Sequence, residues 1–240
     1  MELENILKKF TGVVDEPQEN KLAKLNEQFV EMAKELLYGG YFLVEIKDEN
    51  EKITHEKKIY LEDIEFYYHE EGERGLKDPI MYHTNDHEGK ELRYFELGRL
   101  NLHISGVDVT FENERKAYRA SFLIRGFRVN DGKYDDCSTH VYDELLFMGV
   151  PIGKAIEIKW ISEDLPGKNN YAAEGKIRYN VAAEKCFIKN SKNKYEKIPL
   201  EEAIVIPLDK EKYYCASGNV YERCNRKWRF YKNGIVIKKR

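Results

Sequence analysis

Near the start of the chain, apolar residues recur every three or four positions, which is the spacing of one face of an α-helix. The run ends at Gly39 and Gly40, and glycine is typical of a helix C-terminus. The pattern predicts a helix over about residues 20–38, preceded by an N-terminal arm at residues 1–19. The apolar face of that helix comprises Leu22, Leu25, Phe29, Met32, Leu36 and Leu37.

After Gly40 the pattern changes to an alternation of apolar and polar residues, which is typical of β-strands. Most connections are too short to hold crossover helices, so the strands should pair in the antiparallel sense. A short helix is predicted at about residues 140–148, and Asn233 with Gly234 gives a hairpin-turn signal near the end of the chain. The predicted strands are residues 41–46, 59–68, 100–105, 107–111, 118–129, 155–161, 175–179, 203–208 and 228–238.

These elements predict a single α+β domain over residues 1–240, built on a curved, mostly antiparallel sheet flanked by a few helices. A chain of 240 residues buries a sizeable core without disulfides or metals. Its apolar runs are far shorter than the ~20 residues that cross a bilayer, and its acidic start does not resemble a signal peptide. The four cysteines form no C-x-x-C pair, which favours free thiols. We therefore expect a cytoplasmic protein with no membrane segment.

Charge is distributed unevenly along a chain whose formal net charge is only −3. Residues 41–99 hold 16 acidic and 9 basic side chains, whereas residues 223–240 hold 8 basic side chains and no acidic one. The overall balance does not indicate a nucleic-acid binder. The basic segment has two interpretations, a solvated hairpin or a surface that contacts phosphates.

The strand predicted at residues 59–68 carries the most suggestive pattern. Alternation places Tyr60, Ile64, Phe66 and Tyr68 on one face, which suits burial. The opposite face carries a second set, Asp63, Glu65 and Tyr67. A carboxylate beside an aromatic ring suits a site that stacks a base and activates water, but an edge strand with a solvated polar face produces the same pattern.

Five short segments of this chain follow one another in the order and with the approximate spacing found in one family of repair enzymes. They are residues 63–67 (Asp-Ile-Glu-Phe-Tyr), 78–83 (Asp-Pro-Ile-Met-Tyr-His), 98–111, 121–126 (Ser-Phe-Leu-Ile-Arg-Gly) and 226–234 (Arg-Lys-Trp-Arg-Phe-Tyr-Lys-Asn-Gly). Together they resemble the alkyladenine (3-methyladenine) DNA glycosylases. The resemblance covers roughly residues 30–130 and 222–238, and it implies a methylpurine-DNA-glycosylase-like fold.

The resemblance implies an enzyme that flips a damaged purine out of DNA and hydrolyses its N-glycosidic bond. Glu65 matches the glutamate that activates water, and Arg125 matches the arginine beside it. Tyr67 matches the tyrosine that stacks on the base, and His83 matches the histidine on the other side. No metal or other cofactor is implied. Although His83 and His87 lie close in sequence, no third ligand is evident nearby. The expected partner is DNA carrying a modified purine, bound by a monomer.

Departures from the family pattern favour a second interpretation. Leu102 and Ser105 stand where the family has a stacking and an intercalating tyrosine, with His103 between them as a substitute on the opposite face. His83 lies one residue further along than the family spacing. Three interpretations therefore stay open: a glycosylase, a protein-interaction domain without chemistry, or a catalytically altered or inactive member of the fold that binds a nucleobase, a nucleoside or single-stranded nucleic acid. The candidate DNA contacts in the closing segment are Arg226, Lys227, Arg229 and Lys232.

Overall fold

The computed structural model describes residues 2–72, 75–78, 81, 83–103, 105–146, 154–171, 175–176, 178, 186–189, 195–197, 213–215 and 226–235. The helices in this part of the chain are α1 (Leu3–Leu7), α2 (Gln18–Tyr38), α3 (Asn85–Glu88) and α4 (His140–Leu146). The strands are β1 (Gly40–Lys47), β2 (Ile53–Glu70), β3 (Leu100–His103), β4 (Gly106–Thr110), β5 (Tyr118–Val129), β6 (Tyr134–Asp135), β7 (Ala155–Ser162), β8 (Cys186–Lys189), β9 (Tyr195–Lys197), β10 (Tyr213–Cys215) and β11 (Arg229–Tyr231).

An antiparallel sheet with the strand order β3-β4-β5-β2-β1-β7 organises these elements, and β11 and β6 extend it by pairing with β2 and β5. The long strand β2 is central. It pairs with β5 along one edge, and with β1 and then β11 along the other. A smaller sheet has the order β10-β8-β9. The prediction of a mixed fold with a curled antiparallel sheet and few helices is therefore confirmed at that level.

Helix α2 packs on one face of the sheet through its predicted apolar stripe. The Phe29 ring stacks on Phe66 of β2 with a centroid distance of 4.5 Å, and the Phe10 ring stacks on Phe29 at 5.5 Å. Such aromatic pairs add about 0.5–1.5 kcal/mol beyond the area they bury. Leu22 is an exception to the prediction, because it is 44% exposed. None of the described helices is both long and apolar enough to span a membrane.

The N-terminal arm contains a helix that the apolar spacing did not reveal. Helix α1 is only five residues long, too short for a repeating pattern, yet Ile6 and Leu7 are buried. Phe10 and Val13 continue into the same core. The arm is therefore an integral part of the packed structure, and its burial is decided by tertiary contacts.

Most strand boundaries agree with the alternation of the sequence, and β5 begins and ends at its predicted limits. Strand β2 begins six residues earlier than predicted, because the exposed residues from Ile53 onwards form a hairpin with β1. In the predicted strand 175–179, an isolated bridge joins Lys176 to Arg229. The predicted strand 203–208 and the last part of the predicted strand 228–238 lie outside the described residues.

Strand β2 buries both of its faces from Leu61 to Glu70. Asp63 and Glu65 are completely buried, and Tyr67 is 8% exposed. The interpretation of this strand as a solvated edge is therefore wrong, because β5 and β11 flank it and its polar face is covered. Two carboxyl groups without exposure need compensating charges.

Candidate active site

The antiparallel registers bring side chains from three strands onto the polar face of β2. Glu65 lies opposite Leu123 of β5, which in turn lies opposite Asp108 of β4. One step along the sheet, Tyr67 lies opposite Ser121, which lies opposite Thr110. Directly opposed residues of paired strands share a face. Glu65, Tyr67, Ser121 and Asp108 therefore form one surface, which we call the polar face.

Glu65 forms a bidentate ion pair with Arg125. The guanidinium donates through Nε to Oε2 at 3.0 Å and through Nη2 to Oε1 at 2.9 Å. The Tyr67 hydroxyl donates a further hydrogen bond to Oε1 at 2.5 Å. A carboxylate has about four acceptor positions. These three bonds leave one such position of Glu65, on Oε2, for another donor.

The surroundings keep Glu65 ionised and Tyr67 protonated at neutral pH. Burial by itself would raise the pKa of Glu65, but the charge and hydrogen bonds of Arg125, with a contribution from Arg178, bring the pKa below its usual value. For Tyr67, burial and the negative charge of Glu65 raise the pKa well above its usual value. The polar face thus holds a fixed carboxylate beside a phenol that donates a hydrogen bond.

The ring of Tyr67 is covered on one face by Arg178. The guanidinium carbon of Arg178 lies 5.2 Å from the ring centroid, within the range of a cation–π interaction. Arg178 is anchored by Asp78, whose two carboxylate oxygens accept hydrogen bonds at 2.6 and 3.0 Å. Asp78, the first residue of the aspartate-proline segment, therefore positions an arginine against the Tyr67 ring.

The structure places His83 in a different environment from the one that the resemblance implies. Its ring stacks on Phe95 with a centroid distance of 4.2 Å and an interplanar angle of 10°. Burial and the nearby charge of Arg119 lower the pKa of His83. Among the described residues, the contacts of His83 connect it to this neighbouring loop and not to Glu65 or Tyr67.

The β3 to β4 hairpin separates its apolar and polar side chains as alternation predicts. Leu102 points outwards and is 46% exposed. His103 lies on the other side of the strand, where its Nε2 is 3.2 Å from Oδ2 of Asp108. Ser105 donates its backbone N–H to Nδ1 of His103 at 3.3 Å and accepts a hydrogen bond from Ser138 at its carbonyl oxygen.

Two of the four basic residues predicted to contact DNA form ion pairs within the protein. Arg229 donates from Nε and Nη2 to Asp63 at 3.0 and 2.5 Å, and only 13% of its side chain is exposed. Lys232 lies 3.1 Å from a carboxylate oxygen of Glu62 and is 12% exposed. We correct the prediction for both, because a paired and covered cation is not available to phosphate.

The other two residues of that set differ in exposure. Lys227 is exposed, and Arg226 is partly buried with its guanidinium 4.9 Å from the ring centroid of Trp228. These two remain the candidates for phosphate contact in the closing segment.

Sequence reasoning missed three residues that shape the site. Arg178 lies in a segment without a motif. Ser121 was noted only as the start of the arginine strand. Asp108 did carry a signal, since it is a lone acid between two valines of an otherwise apolar strand. The part of the chain that the structure describes contains no cluster of three or more His, Cys, Asp or Glu side chains arranged to hold a metal ion.

Comparisons with models of known protein families, with curated protein sequences and with solved structures found no match to this chain. The likeness to the alkyladenine glycosylases therefore rests on the five sequence segments alone.

Proposed function

We propose that this chain is a purine-specific DNA N-glycosylase with a methylpurine-DNA-glycosylase-like fold, and that Glu65 carries the hydrolysis. The observation that supports the proposal best is the pairing of Glu65 with Arg125 directly beside Tyr67 on a buried sheet face. The resemblance implies this combination of residues. Residues 60 positions apart in the chain meet here at hydrogen-bonding distance.

In the proposed reaction, a water molecule donates a hydrogen bond to the remaining acceptor position on Oε2 of Glu65. The water oxygen forms a bond to C1′ of the flipped nucleotide while the bond from C1′ to the base nitrogen breaks, and its electron pair leaves with the base. Glu65 receives the water proton. Its negative charge also stabilises the oxocarbenium-like transition state, as carboxylates do in enzymes that cleave sugars.

An alkylated purine suits this site for two reasons. A base that already carries a positive charge leaves as a neutral molecule and needs no proton donor. In addition, the Tyr67 ring attracts a planar cation, as its contact with the Arg178 guanidinium illustrates. Stacking of a base on an aromatic ring contributes about 1–3 kcal/mol.

The outer surface offers elements for binding DNA. Leu102 is an exposed apolar side chain on a hairpin, and apolar wedges of this kind enter the base stack in proteins that distort duplexes. Lys227 and Arg226 supply positive charge on the closing segment. All of these residues belong to one chain, so we propose a monomer. The cytoplasmic location remains part of the proposal.

A second candidate function is recognition of a nucleobase, nucleoside or single strand without hydrolysis. The complete burial of Glu65, with three of its acceptor positions occupied, favours this alternative. In that case the pair of Glu65 and Arg125 serves only to hold Tyr67 in position for the base.

The substitution Glu65→Gln tests the hydrolytic role. The parent should release bases from oligonucleotides containing 3-methyladenine, 7-methylguanine or hypoxanthine, measured as strand cleavage at the abasic site under alkali. Glu65→Gln should abolish release, because a neutral amide neither takes the water proton nor stabilises the cation. Glu62→Gln is the matched control on the same strand, since Glu62 is also buried but pairs with Lys232.

The two functions predict different results in binding experiments. If the parent releases no base from duplex or single-stranded substrates, the glycosylase proposal is wrong. Binding of free alkylpurines or their nucleosides, nearly independent of salt, would then support the second function. A duplex-binding enzyme should instead lose affinity steeply as salt rises.

A further inference from the structure

Two buried polar atoms on the polar face have no hydrogen-bond partner in the part of the chain that the structure describes. They are Oδ1 of Asp108 and Oγ of Ser121. Ser121 is only 2% exposed, and 17% of the Asp108 side chain is exposed. Leaving a buried donor or acceptor unpaired is unfavourable, so such atoms call for a specific explanation.

Both atoms lie next to the proposed base site. Ser121 is directly opposite Tyr67 on the neighbouring strand, and Asp108 lies one strand beyond Leu123, the residue opposite Glu65. After burial and the charge of Glu65, the charge of Asp108 also raises the pKa of Tyr67, so the Asp108 carboxylate lies near the Tyr67 hydroxyl. The unpaired atoms and the stacking residue therefore border the same region.

The ring of His103 lies beside the carboxylate of Asp108. Its Nε2 lies 3.2 Å from Oδ2, while Ser105 donates its backbone N–H to the other ring nitrogen at 3.3 Å. Nε2 of His103 also has no hydrogen-bond partner among the described residues, and Oδ1 of Asp108 is left as an acceptor. Ser121 adds a hydroxyl that both donates and accepts.

We propose that Asp108 and Ser121 read the edge of the purine that stacks on Tyr67, with Asp108 accepting a hydrogen bond from an exocyclic amino group. This inference rests on the proposed function and names its substrate class, the amino-bearing purines such as alkylated adenine. A purine with a carbonyl oxygen in place of the amino group, such as hypoxanthine, would direct that oxygen at the carboxylate. The resulting repulsion and the unpaired acceptor disfavour it.

The substitution Asp108→Asn tests the proposal through substrate preference. We would measure kcat/KM for release of 3-methyladenine and of hypoxanthine from duplexes of identical sequence. The parent should prefer 3-methyladenine, and Asp108→Asn should lower the ratio of the two values by about tenfold or more, the usual effect of one good base-edge contact. The amide donates a hydrogen bond to the carbonyl oxygen, so release of hypoxanthine should rise. Asp131→Asn, an exposed aspartate on a turn, is the matched control.

Ser121→Ala separates recognition from folding. Because the hydroxyl has no hydrogen-bond partner among the residues that the structure describes, removing it should leave the midpoint of urea unfolding unchanged or higher. Release of 3-methyladenine should nevertheless fall severalfold, since the base loses a contact. A loss of activity accompanied by an equal loss of stability would overturn this role for Ser121.

The outcomes distinguish this inference from the function on which it rests. If the parent is active and Asp108→Asn leaves the ratio unchanged, the edge-reading role is refuted while the glycosylase proposal stands. If the parent releases no base, the glycosylase proposal fails. The ratio of affinities for free adenine and free hypoxanthine, measured by calorimetry, then replaces the kinetic ratio. Asp108→Asn should lower this ratio of affinities, and an unchanged ratio would refute the inference.

Discussion

Removing Arg125 should destabilise the protein strongly, because Glu65 would remain as a buried carboxylate without its main partner. Arg125 makes two charge-assisted hydrogen bonds with Glu65, and Glu65 has no exposed surface. At about 1.5–3 kcal/mol for each such bond, the loss is about 3–6 kcal/mol, similar to the ~3–5 kcal/mol observed when buried pairs are broken. Because Arg178 also lowers the pKa of Glu65, we expect Arg125→Met to lie near 3 kcal/mol at pH 7.5.

The size of this loss should depend on pH in a defined direction. In the parent, the lowered pKa of Glu65 makes the pair stabilising above the ordinary value of 4.5, and this stabilisation disappears as pH falls. In Arg125→Met, burial without the arginine raises the pKa of Glu65. The folded variant then binds a proton that the unfolded chain lacks, so its stability falls as pH rises above 4.5. The difference between parent and variant should therefore shrink from pH 7.5 to pH 4.5.

Urea unfolding followed by tryptophan fluorescence measures these free energies. Glu65→Gln combined with Arg125→Met should recover most of the stability, because the buried charge is gone. Arg128→Met is the control, since Arg128 is 31% exposed and its pair with Glu62 spans 3.3 Å; it should cost less than about 1 kcal/mol. A loss below about 1 kcal/mol for Arg125→Met, unchanged between the two pH values, would show that Glu65 is solvated and would refute this reasoning.

Two further predictions concern other parts of the chain. Burial raises the pKa of Glu112 to about 7 against the opposing charge of Arg119. The unfolding free energy of the parent should therefore fall as pH rises from about 4.5 to about 7, because the folded protein keeps a proton on Glu112 that the unfolded chain has lost. Glu112→Gln should remove this fall. A variant whose unfolding free energy still falls as steeply as that of the parent would contradict the assignment. Leu102→Ser should weaken duplex binding severalfold, measured by fluorescence anisotropy, while the unfolding free energy changes by less than about 0.5 kcal/mol. Leu22→Ser is the control, because Leu22 is equally exposed but lies on α2; equal effects of both substitutions would exclude the hairpin as a wedge.

Local periodicity was sufficient for α2 and for the strands that carry most of the site. The three- and four-residue spacing predicted α2, and alternation predicted β5 and the shared face of Glu65 and Tyr67. Alternation also predicted that His103 and Leu102 lie on opposite faces of the hairpin. These properties depend on residues a few positions apart, since the backbone geometry of a helix or strand sets the direction of each side chain.

The tertiary structure decided which charges meet and which faces are covered. Glu65 pairs with a residue 60 positions away, Asp78 with one 100 positions away and Asp63 with one 166 positions away. No local pattern encodes such pairings, because they follow from the order of strands in the sheet and from the burial that makes each carboxylate require a cation. For the same reason, the sequence of the basic closing segment suggests an exposed surface. In the structure, Arg229 and Lys232 are instead mostly covered and form ion pairs with Asp63 and Glu62 of β2.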